Sequence, residues 1–65
     1  MRFEVYAKYG NRWSYKGIYQ ARDSRLAAYQ AQYSTGRNVL KVRPEDSRDK
    51  FLVYRITSAP TVTAG

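Results

Sequence analysis

The chain has 65 residues, with twelve Lys and Arg against five Asp and Glu and neither Cys nor His. That length supports one domain with a small core. The missing Cys and His exclude a disulfide framework, the usual zinc sites and the Cys/His or Ser/His/Asp nucleophilic machineries. A formal net charge of +7 points to an anionic partner, either nucleic acid or an acidic protein surface, although charge also serves to keep a small domain soluble.

Arg2 to Tyr9 alternates, with Phe3, Val5, Ala7 and Tyr9 on one side and Arg2, Glu4, Tyr6 and Lys8 on the other, the pattern of a half-buried strand. Gly10-Asn11 tolerates positive φ and turns the chain, and Arg12 to Gln20 returns as a second strand. A two-residue loop would place Tyr9 opposite Arg12, leaving Trp13, Tyr15, Tyr6, Tyr19, Lys8 and Arg2 on one face. A three-residue loop would place Tyr9 opposite Trp13 and send the aromatics of the second strand into the core. A one-residue slip exchanges every side chain of the partner strand. Hydrophobic economy favours the three-residue loop, which leaves Ser14, Lys16 and Ile18 outside. Gly17 is a candidate bulge that would change faces midway and make Ile18 a core residue in either case.

Asp23-Ser24 is a helix start, Leu26 to Tyr33 are good helix formers, and Gly36 is the natural left-handed stop. At 100° per residue Leu26, Tyr29 and Tyr33 form one stripe and Ala27, Ala28 and Ala31 another. Burying Leu and Tyr stabilises more than burying Ala, so the first stripe is the expected core face. The alternative packs the alanines on the sheet and turns Leu26, Tyr29 and Tyr33 outward beside Arg22 and Arg25, a Tyr/Arg combination enriched at protein interfaces.

Asn38 to Arg43 is a third strand, with Leu40 and Val42 opposed to Val39, Lys41 and Arg43. Pro44 to Asp49 is a solvated turn. Its Glu45, Asp46 and Asp49 lack the ligand order of a calcium loop and have Arg48 among them. Lys50 to Thr57 is the fourth strand, and the uncharged tail 58–65 is expected to be mobile. The predicted architecture is α+β, a single ββαββ domain over residues 1–57 with one helix on one face of a mostly antiparallel sheet.

The open face of that sheet is the leading candidate surface. Basic side chains neutralise phosphates while aromatic rings stack on bases. The candidate nucleic-acid contacts are Arg2, Tyr6, Lys8, Arg12, Trp13, Tyr15, Lys16, Lys41, Arg43 and Arg55. The alternative, a protein-binding adaptor or inhibitor of the kind small phages encode, would use Arg22, Arg25, Leu26, Tyr29 and Tyr33. A homodimer pairing exposed strand edges is a third option. No catalysis, metal or cofactor is expected, since three of the five carboxylates crowd one turn instead of facing each other across a pocket. With apolar runs of roughly three or four residues there is no membrane-span pattern, and a cytosolic setting, in a cell or an infected host, is expected.

Arg12-Trp13, Gly17-Ile18-Tyr19 and Ala27-Ala28-Tyr29 together resemble the run in three-strand-plus-helix DNA-binding units of the integrase amino-terminal kind. The resemblance covers about half the chain and implies DNA contacts at Arg12, Trp13 and Lys16, although a hairpin follows the helix where those units have a third strand before it. Phe3-Glu4-Val5-Tyr6 with Ala21, Asp23, Arg25, Ala27 and Ala31 loosely resembles the small subunit of the phenylacetyl-CoA epoxygenase complex, which implies a non-catalytic role through protein contacts.

Overall fold

The computed structural model describes residues 1–57, so the tail expected at 58–65 lies outside the described residues. The elements are β1 (Arg2–Tyr9), β2 (Arg12–Gln20), α1 (Ser24–Thr35), β3 (Val39–Pro44) and β4 (Leu52–Arg55). The strands form one antiparallel sheet in the order β2-β1-β3-β4, with the helix on one face. This is the predicted ββαββ architecture. It has only a hairpin before the helix, so the three-stranded sheet of the integrase-type units is not reproduced. The fourth strand is shorter than predicted, beginning after Phe51 and ending before Ile56, whose N–H still donates to the Asn38 carbonyl at 2.8 Å.

The hairpin resolves against hydrophobic economy. Tyr9 pairs with Arg12 and Lys8 with Trp13, so the loop is Gly10-Asn11 alone, with Gly10 at φ 61°. That positive φ is what a tight two-residue turn between right-twisted strands requires. A bulge then interrupts the ladder: Tyr6 pairs with Tyr15 but Val5 pairs with Gly17, so Lys16 is the extra residue. Gly17 takes φ 108°, a conformation that side chains with a Cβ rarely adopt.

This shift changes which side chains of β2 face the helix. Before it, Trp13 and Tyr15 lie beside Lys8 and Tyr6 on the open face; after it, Tyr19 pairs with Phe3 and packs against the core. Ile18, expected in the core, pairs instead with Glu4 on the open side and is half-buried. Tyr19 is thus inside where a simple two-residue-loop hairpin would have put it outside.

The core consists of Phe3, Val5 and Ala7 from β1, Leu40 and Val42 from β3, and Ala21, Ala27, Ala28 and Ala31. The helix therefore buries its alanine stripe, which corrects the expectation that Leu26, Tyr29 and Tyr33 would be the core face. Small residues on both layers account for this. Ser14 and Gly17 of β2 lie opposite Ala7 and Val5, so the sheet under the helix offers little depth for a large ring. A helix faced with alanine can approach such a surface closely enough to exclude water and fill the space, whereas tyrosine would hold the layers apart.

Both ends of the helix are fixed as the sequence implies. The Asp23 carboxylate accepts from the Leu26 N–H at 2.9 Å, and Gly36 at φ 74° donates its N–H to the Gln32 carbonyl. Two hydroxyl contacts set the crossing direction. Ser24 bonds to the Tyr54 hydroxyl of β4 at 2.6 Å, and Ser34 to the Tyr19 hydroxyl of β2 at 2.7 Å. Since β4 and β2 are opposite edges, the helix runs obliquely across the sheet.

Candidate nucleic-acid interface

Pairing defines the open face: Arg2, Glu4, Tyr6 and Lys8 of β1, Trp13 and Tyr15 of β2, Lys41 and Arg43 of β3, and Arg55 beyond Phe51 and Val53. Lys41 sits near its centre. Its ammonium lies 5.1 Å from the Tyr6 ring centroid, 4.8 Å from Trp13 and 4.8 Å from Phe51. Lys8 also approaches Trp13, at 5.7 Å, and the Arg43 guanidinium covers Phe51 at 4.3 Å. The rings also touch one another, Tyr6 with Tyr15 at 5.2 Å and with Phe51 at 5.4 Å, forming a row Tyr15–Tyr6–Phe51 across the strands.

Cation–π attraction explains how such a face can exist on a surface open to water. A ring presents negative charge density to the ammonium above it and apolar area to its neighbours. Each lysine stem also covers part of a ring while its charge stays in water. The arrangement holds Lys8 and Lys41 over the aromatic rings without pairing either to a carboxylate of the described residues.

Two predicted cations are committed elsewhere. Arg2 donates from Nε to the Glu45 carboxylate at 2.7 Å, and Arg43 donates from Nη2 to Glu4 at 3.2 Å. The hydrogen bond from Arg2 holds the Glu45 carboxyl below its ordinary value and that of Arg2 above its own. The pair therefore persists above the usual carboxylate range and is lost only as the pH falls through the depressed value.

Arg12 and Lys16 lie on the other side of the sheet from this face. Arg12 pairs with Tyr9, and the Lys16 ammonium, redirected by the bulge, rests 4.7 Å from the Tyr9 ring. Arg37 covers the same ring at 4.6 Å and donates from Nε to the Lys8 carbonyl. Tyr9 thus gathers a second basic cluster at the hairpin end. The candidate protein-contact residues are also brought together: Leu26 and Tyr29 are 43% and 44% exposed and Tyr33 is 90% exposed, with Arg25 5.9 Å from the Tyr29 ring.

Phe51 and Arg37 were not among the residues singled out from the sequence. Phe51 shares the alternation of Val53 and Arg55, a signal that could have placed it on the open face. Arg37 stands in the short Gly36–Asn38 connection, where no periodicity operates.

Charge is unevenly distributed along the strand direction. Glu4, Asp23, Glu45, Asp46 and Asp49, all the Asp and Glu of the chain, lie at the end where β1 starts and β2 and β3 finish, interspersed with Arg2, Arg22, Arg43, Arg48 and Lys50. Among the described residues the half that holds the hairpin turn carries Lys8, Arg12, Lys16, Arg37, Lys41 and Arg55 with no Asp or Glu. The net charge of the protein is in effect the charge of that half.

Among the described residues no helix is long and apolar enough to cross a membrane. Compared with protein-family models, with curated proteins and with solved structures, the chain matches none of them.

Proposed function

We propose that the protein is a non-enzymatic nucleic-acid-binding domain whose contact surface is the open sheet face together with the basic residues around the hairpin turn. The observation that carries this reading is Lys41 among Tyr6, Trp13 and Phe51, inside a half of the molecule whose described residues include cations and no Asp or Glu. Phosphates would draw on the cations, and bases or sugars on the rings. A salt titration of oligonucleotide binding tests it. The logarithm of the affinity should fall linearly with that of salt, with a slope of about −0.7 to −0.9 per phosphate neutralised. Absence of binding to any oligonucleotide at low salt ends the reading.

A second reading is favoured by the exposed Leu26, Tyr29 and Tyr33 on the helix: an adaptor or inhibitor that docks this stripe, with Arg22 and Arg25, on an acidic protein. Tyr29→Ala and Tyr33→Ala should then abolish retention of that protein from nuclease-treated lysate while leaving circular dichroism unchanged. Retention that disappears on nuclease treatment supports the first reading instead.

A further inference from the structure

We infer that the nucleic acid taken by the open face is single-stranded, its bases stacking on the row Tyr15–Tyr6–Phe51 and its phosphates held by Lys8 and Lys41. The inference rests on the nucleic-acid reading above and narrows it to one class of ligand.

Shape argues first against a duplex. The major groove is about 12 Å wide and admits a helix or a two-stranded ribbon. Four strands spaced about 4.8 Å apart span about 14 Å between outer strand axes before side chains are added. The ribbon β1–β2 is free of β3 only over its tip, Lys8 to Trp13, because β3 is paired to β1 over Phe3 to Ala7. The helix is no better suited, since Arg25 is its single cation and its exposed side is Leu26, Tyr29 and Tyr33.

The chemistry of the face argues positively for unstacked bases. The ring contacts run from β2 across β1 to the residue preceding β4, with centroid spacings of 5.2 and 5.4 Å. Tyr15, at the outer end of the row, is 53% exposed. A phosphate backbone alone makes no use of these rings, whereas a single strand offers them the face of every base. A sheet of this width has room for about two or three bases.

The lysines over the rings need not obstruct stacking. Cation–π attraction at an exposed site is weaker than base–aromatic stacking, and the flexible four-carbon stem lets the ammonium swing aside. A base arriving on Trp13 would displace the Lys41 ammonium toward the adjacent phosphate, and one arriving on Phe51 would displace the Arg43 guanidinium as well. Lysine would then exchange one partner for a stronger one, and the ring would do the same.

The sole tryptophan, Trp13, reports this directly. Its fluorescence should be titrated at one salt concentration with a 12-nucleotide oligo-dT, an oligo-U of the same length, a 12-base-pair duplex and an abasic 12-mer. The single strands are expected to quench Trp13 strongly and to bind about tenfold or more tighter than the abasic strand and the duplex. Tyr15→Ala should lower single-strand affinity about tenfold and leave that for duplex and abasic strand unchanged. Phe51→Leu, which keeps an apolar side chain, should act in the same direction.

Equal affinity for duplex and single strand, with Tyr15→Ala affecting neither, would overturn the single-strand inference and leave the nucleic-acid reading standing. Binding of the abasic strand as tight as that of oligo-dT would do likewise. No binding of any of the four would end both.

Discussion

Ala28→Leu should cost the protein a large part of its stability, while Tyr33→Ala should cost almost none. Ala28 is fully buried in the cluster with Leu40 and Val42, and Tyr33 is 90% exposed. Adding bulk to a close-packed core destabilises by about 1–3 kcal/mol and occasionally more. A domain of this size has a total stability of about 3–10 kcal/mol. Removing an exposed ring usually changes stability by less than about 0.5 kcal/mol. Urea unfolding followed by circular dichroism compares the two. The reverse order of effects would mean that the helix presents its other stripe to the sheet.

The second large effect concerns where charge is placed. Lys8→Glu with Lys41→Glu should weaken oligonucleotide binding by roughly tenfold to a hundredfold and reduce the salt slope by about two. The paired change Arg48→Glu with Lys50→Glu alters net charge by the same amount at the end that already holds every Asp and Glu, and it should leave affinity within a few-fold. Fluorescence titrations of both variants across a salt series make the comparison. Equal losses would show that overall charge matters and the aromatic face does not. Since Lys41 packs among three rings, thermal melts of the first variant are needed to separate lost binding from lost folding.

Much of the fold was legible because it depends on local chemistry. Asp23 as a cap, Gly36 as a stop, Gly10-Asn11 as a turn and the alternation of Phe3, Val5 and Ala7 each act within a few residues, and each holds in the structure. Two of the expectations that failed depended on how layers meet. Leu26, Tyr29 and Tyr33 have more to gain from burial than three alanines, but that gain is available only if the sheet below is deep enough. Ala7, Ser14 and Gly17 make it shallow.

The hairpin failed for a related reason. Counting apolar groups favoured sending Trp13 and Tyr15 inward, but on the open face Trp13 lies under Lys8 and Lys41, while Tyr15, 53% exposed, rests its ring against Tyr6. The two-residue turn, which sets Arg12 opposite Tyr9, and the bulge at Lys16 then carried Arg12 and Lys16 to a different surface from the cations with which they had been grouped. Nothing local to Lys16 indicates the direction in which it would point; only the neighbouring glycine does, once its φ is known.

The segregation of charge has a consequence before any contact is made. A protein whose uncompensated positive charge lies mainly at one end has a dipole as well as a net charge, so a polyanion exerts a torque on it and not only a pull. The molecule should turn as it approaches and meet its partner with the hairpin end leading. The fraction of collisions that are productive then rises without any side chain being added to the interface.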